Sequence, residues 1–586
     1  MKSHIVIILV FYILSSCQSA EPLLHLHLND DIRINQIGYY PQHQKIAVVP
    51  GETNATTFYL VDNFTQKVVW EGTLSETRYS GYSNKISKIA DFTAFQKKGE
   101  FVLAVKELGK SYPFTIGESI FEELAKGSIK AFYYNRASTK LEEQHAGQWA
   151  RPAGHPDDRV MIHASAVSTQ RPEGTILSAP YGWYDAGDYN KYIVNSGITM
   201  GTLLSLYEDF PDYSQQQNLN IPESDNQLPD LLDEVLWNLK WMLKMQDPND
   251  GGVYHKLTTA NFEGMVMPHE AINQRYMVAK STAATLDFAA VMAQAHRVYQ
   301  AYNPDLAIEC LKAAEMAWGW AKKNPAVLYK QDEINKVHSP QIQTGTYGDK
   351  DVSDEWIWAA AELYISTRNL EYLENIRPPG DQFETPTWNN VAWLGYYSLL
   401  RHSDDIQNVP AELKEHIRQQ LIRQANVYLE GMKESRFHTV MGSTAADFNW
   451  GSNSNAANQG ILLIQAYLLS GDKKYKEAAL GNLDYILGRN ATGYSFVTGY
   501  GTKSPLFPHH RPSEAEPDKA PVPGFLVGGP NPGQQDKCDY PSDVPDESYV
   551  DATCSYASNE VAINWNAPLA YLVNALEALT SKATDL

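Results

Sequence analysis

Residues 228–245 read LPDLLDEVLWNLKWMLKM, and the spacing of their apolar side chains decides the fold class. Leu232, Val235, Leu236, Leu239 and Leu243 recur at three- and four-residue intervals, which predicts an amphipathic helix with one face committed to a core. The same period returns over 119–134, 194–209, 281–301, 304–322, 354–368, 388–401, 410–434, 456–470, 473–487 and 561–580. Asn303-Pro304 opens one of these segments with a cap residue before a proline at the first helical position. Roughly a dozen such segments suit six helical hairpins closed into a mostly α fold, an (α/α)6 barrel over 118–586. Upstream the period changes: IRINQIGYY, KIAVVP, TFYLVD, KVVWEGTL, ISKIADF and EFVLAV predict a small β-sandwich over 31–117.

Composition narrows the partners. A chain of 586 residues with 43% hydrophobic content can bury a large core and a smaller one beside it. Its formal charge of -21 repels phosphate-rich partners, so nucleic acid is excluded, and a neutral polymer is indifferent to the field. The 35 tyrosines and 13 tryptophans supply rings with an apolar face and a polar edge, as a sugar requires.

The N-terminus directs the chain outward. Lys2 precedes the apolar run Ile5–Leu14, too short to span a bilayer and shaped like a secretory signal. Leu14-Ser15-Ser16-Cys17 resembles a bacterial lipobox, so residues 1–17 are expected to be a lipoprotein signal with Cys17 lipidated and 18–30 a tether. The expected location is the bacterial cell envelope, with the membrane met only through the lipid anchor, and a monomer is expected. In that oxidising setting Cys538 and Cys554 are close enough to close a short disulfide loop, while Cys310, inside a helical segment, is expected to be a buried apolar residue.

Chemistry concentrates in two long loops, 135–193 and 488–559. GWYDAGDYNKY (182–192) sets Asp185 and Asp188 around Ala186-Gly187, a pair that lets the backbone turn and something come close. YVDATCSYASNEVAINWNAPL (549–569) sets Asp551 and Glu560 before an apolar helical run. Near a helix N-terminus Glu560 would be held acidic, and only desolvation or a second carboxylate would raise it toward neutrality, with Tyr556 and Trp565 as an apolar wall. SFVTGYGTKSPLFPHHRPS (495–513) adds His509, His510 and Arg511; adjacent histidines suit sugar hydroxyls better than one metal. No phosphate loop and no nucleophile elbow is present. Paired carboxylates with donors and aromatics match glycosidic cleavage, which needs one carboxylic acid and one carboxylate.

These motifs resemble those of glycoside hydrolase family nine, together with KMQDPNDGGVYHK, DEWIWAAAELY and PGFLVGGPNPGQQD, and INQIGYYP resembles the immunoglobulin-like module that often precedes its catalytic domain. The resemblance implies an inverting mechanism on a β-glucan. Asp188 would be the general base, Asp185 would help hold the water, and Glu560 would be the general acid. His509, Arg511, Tyr556 and Trp183 would meet the sugar, and Asp551 would support Glu560 or its hydrogen-bond network. The leading expectation is an endo-acting β-1,4-glucanase; an exo-acting member and a non-catalytic glycan-binding lipoprotein are the alternatives. No cofactor is required. Some relatives hold a structural zinc before the DAGD stretch through Cys and His, but here His145, His155 and His163 stand without a Cys, so no zinc is expected. A structural calcium is the remaining metal expectation, with Asp247 and Asp250 of the PNDGG loop as candidates.

Overall fold

A computed structural model describes residues 26–581 apart from Asn84 and Glu107. The signal segment, Cys17 and most of the tether lie outside the described residues. We number only the ring helices: α1 Glu122–Tyr134, α2 Ile193–Asp209, α3 Asp230–Met245, α4 Thr282–Tyr299, α5 Pro304–Lys323, α6 Ser353–Thr367, α7 Leu370–Leu373, α8 Ala392–Arg401, α9 Ala411–Glu434, α10 Ser452–Ser470, α11 Lys473–Ile486 and α12 Ile563–Ser581. The even-numbered helices form the inner wall, and each packs an odd-numbered one outside it, α12 closing the ring on α1. The inner helices α2, α4 and α6 are buried on nearly every side, because both the barrel interior and the outer layer cover them. The outer α9 fully buries one stripe, Ile417, Leu421, Ala425 and Met432, and leaves the rest half buried or exposed.

The cap expected at Asn303 forms, and a second one forms at Ser281. Asn303 accepts from Leu306 N–H before Pro304, and Ser281 accepts from Ala284 N–H. The opening stretch becomes α3, with one difference from the expected face: Leu236 and Leu243 are only half buried, whereas Glu234 and Asn238 are fully buried. A second face of α3 supports the loops above it, and there the polar groups are needed.

The N-terminal module has two sheets. One runs in the order Gly38–Tyr39, Phe114–Ile116, Gly99–Val105, Thr57–Asp62, Val68–Thr73, and the other Ile46–Pro50, Ile86–Asp91, Arg78–Tyr79. They enclose Phe58, Leu60, Phe92, Phe101, Leu103 and Phe114. The module starts earlier than the sequence suggests: Leu28 bridges Lys110, and Asp30 pairs with Lys503 of the barrel at 3.0 Å, so residues 28–30 belong to it and not to a tether. Only Gly38–Tyr39 of IRINQIGYY is strand; the segment before it clasps the barrel. Asn35 donates to the buried Asp484 at 2.7 Å, Gln36 N–H to Leu487 O at 3.0 Å, and Tyr40 to Glu577 at 2.6 Å. Ile46, Val48 and Ile89 share an apolar cluster with Phe437 and Ala491.

A third sheet, in the order Ile176–Leu177, Val160–Ile162, Arg275–Met277, Lys256–Thr259, Lys191–Tyr192, joins the long loop 135–193 to the segment between α3 and α4. Helical period could not reveal it, since its strands have two to four residues each. Its edge strand is the end of the DAGD stretch, which is thereby fixed to the barrel mouth.

Candidate active site

Three distant loops are stitched together at backbone level. The extended residues 560–562 pair with His509 on one side, with Val527 at Val561, and with Ala186 at Ala562. Ile563 N–H donates to Asp185 O at 2.8 Å and Arg511 N–H to Gly187 O at 3.1 Å. Gly187 makes this possible: a Cβ there would lie 2.1 Å from His509 O and 3.1 Å from Glu560 Oε1. The glycine is required by close approach and not by its backbone angles.

Above this junction opens a cleft of about 870 Å³. Asp188, His509, Arg511 and Glu560 line its middle, and Tyr347, Trp388, Trp450, Tyr556 and Trp565 are among its aromatic walls. Asp188 and Glu560 therefore face one space. Glu560 precedes α12 by three residues, outside its first turn. Desolvation, then the charge of Asp188, push its carboxyl well above the usual range, against the pull of Arg511 and a Gly187 N–H bond. Asp188 is held on one oxygen: Asn190 Nδ2 donates to Oδ2, and Oδ1 has no partner among the described residues.

Asp185 lies beneath the floor, fully buried. Asn195 donates to both its oxygens at 2.9 Å, and Tyr347 donates to Oδ2 at 3.3 Å. Burial first, then Asp188, raise its carboxyl well above the ordinary range. Its effect on a water in the cleft is thus electrostatic or passes through Tyr347. Asp551 does not touch Glu560; it accepts from Leu506 N–H at 2.8 Å, Phe507 N–H at 2.9 Å and Asn559 Nδ2 at 3.0 Å, shaping the segment that carries His509. Its bond to Asn559 reaches the residue that precedes Glu560.

Of the adjacent histidines only His509 faces the cleft. Its Nδ1 lies 2.6 Å from Thr553 O, which fixes the neutral tautomer with Nδ1–H donating and leaves Nε2 to accept a hydroxyl, the reverse of the donor role expected. Desolvation keeps the ring below its ordinary pKa. His510 is buried against Phe525 and pushed down to about 3 by burial. Arg511 spends Nε on Glu263 O at 3.0 Å and one terminal nitrogen on Gly187 O at 2.8 Å, so it clamps two loops while lining the cleft. Tyr556 lies 5.6 Å from Trp450, ring centre to ring centre, as a rim pair.

Trp183 is a correction. It has no exposed surface, packs on Phe132 and donates Nε1–H to Glu234 at 2.8 Å, so it braces α3 and meets no sugar. The aromatic role falls instead to Tyr347, Trp388 and Trp450, which sequence reasoning missed because each sits alone in a loop or helix end with no motif around it. The disulfide Cys538–Cys554 forms with Cα atoms 6.0 Å apart, and Cys310 is buried. His145, His155 and His163 are engaged separately with Asn220, Tyr184 and Ser165. Asp247 and Asp250 of the PNDGG loop both pair with Lys280 at 2.8 Å. Among the described residues no group of three or more His, Cys, Asp or Glu side chains is arranged to hold a metal ion.

Comparison with known proteins agrees with this geometry. The profile of Glycosyl hydrolase family 9 matches residues 121–573, and that of the cellulase N-terminal ig-like domain matches 28–110. The chain is 48% identical over 578 residues to a xyloglucan-specific endo-beta-1,4-glucanase of Bacteroides ovatus, covering 98% of each chain. It is 34% identical to endoglucanase D of Acetivibrio thermocellus, over 92% of this chain and 82% of that one. Among solved structures, a Bacteroides ovatus GH9 protein superposes with a TM-score of 0.89 at 46% identity, over 94% of this chain and all of the other. A metagenome-derived glycoside hydrolase family 9 endoglucanase gives a TM-score of 0.84 at 32% identity, over 93% and 99% of the two chains.

Proposed function

The chain belongs to glycosyl hydrolase family 9 and is an endo-β-1,4-glucanase, and on that premise we propose how its cleft divides the work. Glu560, kept protonated by desolvation and by Asp188, gives its proton to the glycosidic oxygen as the bond to the anomeric carbon breaks. Asp188 takes a proton from a water through its free Oδ1, and the hydroxide formed adds to the opposite face of that carbon, inverting its configuration. Asp185, raised by burial and by the charge beside it, carries the proton of the acidic pair and leaves Asp188 as the base. His509 accepts, and Arg511 donates with its remaining nitrogen, to hydroxyls of the sugar beside the scissile bond. The observation that carries the scheme is the backbone ladder that sets Glu560 against Gly187-Asp188 beneath one cleft. Every proton transfer falls on a side chain, and we assign calcium no part in the reaction; melting with and without a chelator reads out any structural role.

We propose a branched glucan of the xyloglucan type as substrate. The similarity to the Bacteroides ovatus enzyme over nearly the full length of both chains supports this. So does a cleft that mixes ring platforms with the neutral hydroxyl-binding side chains Thr346, Thr387, Asn389, Asn449 and Asn455. The test measures viscosity and reducing ends on xyloglucan, carboxymethylcellulose, mixed-linkage glucan and glucomannan, with Glu560→Ala alongside. Fast viscosity loss, greatest on xyloglucan and absent in the variant, is expected. Slow release of small products without viscosity loss would mean exo action, and a Glu560→Ala protein as active as the parent would remove the acid. Lipid attachment at Cys17 in the bacterial envelope is our proposal for location; Cys17→Ser should then move the enzyme from the membrane to the soluble fraction.

A further inference from the structure

Lys256 has no part in the scheme above, yet it is an ammonium sealed inside the protein on the strand Lys256–Thr259. Its Nζ donates to Gln331 Oε1 at 2.7 Å, Thr344 Oγ1 at 3.1 Å and Gly345 O at 2.7 Å, all neutral acceptors. The rings of Tyr192 and Tyr329 lie 5.5 Å from it. A buried cation normally pairs with an anion at contact distance or gives up its proton. Lys256 has no such ion pair among the described residues, and the one carboxylate whose charge favours its ionised form is Asp188.

A continuous path joins the two. Thr344 Oγ1 and Thr258 Oγ1 are 2.6 Å apart, Thr258 Oγ1 lies 2.9 Å from Asn190 Oδ1 as its donor, and Asn190 Nδ2 donates to Asp188 Oδ2. Thr259 N–H also donates to Asn190 Oδ1 at 3.0 Å, so the amide cannot flip and its NH2 must face Asp188. Every member is at most 5% exposed, and water cannot compete for these bonds. With Thr344 donating to Thr258 and Thr258 to Asn190, rather than to Thr259 O at 2.9 Å, the donors run from the ammonium to the amide oxygen and polarise the amide toward the carboxylate.

We propose that Lys256 is a positioning residue for the base: through Thr344, Thr258 and Asn190 its charge keeps Asp188 ionised and turned so that Oδ1 meets the water. This rests on the reading of Asp188 as the base. The other titratable groups around Asp188 are Asp185, Glu560, Tyr192, Tyr347 and His509. Those that feel Lys256 from neighbouring elements are His255 and His163, both pushed toward the neutral form by burial first. Burial brings Lys256 down to about 7 against the opposing pull of Asp188, so the relay is charged below that pH and weakens above it.

The test is the pH dependence of kcat/KM on a soluble β-glucan for Lys256→Met, Thr258→Val and the double variant, with melting curves on each. Each single variant is expected to raise the acidic limb by about one pH unit and to lower kcat about tenfold at a pH on that limb, with KM little changed. The double variant should be no worse than the poorer single one, because both break one path. If Lys256→Met does not fold, Thr258→Val, which keeps the charge and the volume, carries the test. An acidic limb unmoved in the folded variants, or losses in kcat that simply multiply in the double variant, overturns the relay. Asp188→Ala separates the two readings: activity retained there removes the base itself, whereas inactivity there beside unmoved relay variants removes only the relay.

Discussion

Replacing Gly187 by alanine tests the claim that catalysis depends on loops touching at backbone level. The new Cβ would sit 2.1 Å from His509 O, where real contacts essentially never fall below 3.0 Å, so the segments must part by about 0.9 Å. The neighbour is a main-chain carbonyl and cannot swing aside. Gly187 O is itself gripped by the Arg511 main-chain and side-chain N–H groups at 3.1 and 2.8 Å, which blocks the opposite retreat. Overpacking of this kind costs about 1–3 kcal/mol in stability. The functional cost is larger, because a misplacement of about 1 Å between reacting groups lowers rate by roughly 10²-fold. The assay is kcat on a soluble β-glucan for Gly187→Ala, with Gly264→Ala, whose Cβ would meet nothing within 4 Å, as the control. A folded Gly187→Ala enzyme with the parent's kcat would refute the reasoning, since the ladder would then be ornamental.

Glu560→Gln should lower kcat by about 10²–10⁴ while raising the melting temperature at neutral pH. The sign follows from its raised carboxyl: the folded state holds the proton more tightly, so this contribution to stability is present below the ordinary carboxylate range and is lost as pH rises toward the raised value. A variant that melts lower than the parent at neutral pH would contradict it. Cys538→Ser with Cys554→Ser opens a loop of separation 16 and should cost about 3 kcal/mol, loosening the rim around Tyr556; urea unfolding measures the first effect and KM the second. Deleting residues 28–117 uncovers Phe437 and Ala491 and strips Asn35 from buried Asp484, so the truncate should precipitate or melt early; a stable truncate that had lost only polymer binding would show a recruiting module instead.

The helices were legible in the sequence because burial on one stripe imposes a period, and the start of α5 was legible because Asn303 is a good cap before Pro304. Asp185, Asp188 and Glu560 stood out because the motifs around them are specific. What pattern could not supply was distance. The third sheet has strands too short to show a period, yet it is this sheet that presents Thr258 and Lys256 to Asn190. Trp183 shows the opposite failure: flanking a motif made it look like a sugar platform, but the same closeness to the barrel mouth put it under the loop, against Glu234. Trp388 and Trp450 had no neighbours to announce them and became visible only when the ring brought their loops to one cleft.

The role of Glu560 shows why geometry had to arbitrate. Two opposed forces were foreseeable: a helix N-terminus would hold the carboxyl acidic, and burial beside another carboxylate would raise it. The helix begins only at Ile563, so Glu560 lies beyond the first turn where the dipole acts. The paired 560–562 segment instead presses it against Gly187, with Asp188 across the cleft floor, so desolvation and like charge prevail. Asp188 has the opposite environment: an amide bound to one oxygen and an ammonium behind that amide. Glu560 is thus driven toward its protonated form by its surroundings, while Asp188 keeps one oxygen open to the same cleft, and an inverting hydrolase needs that division of roles before its substrate arrives.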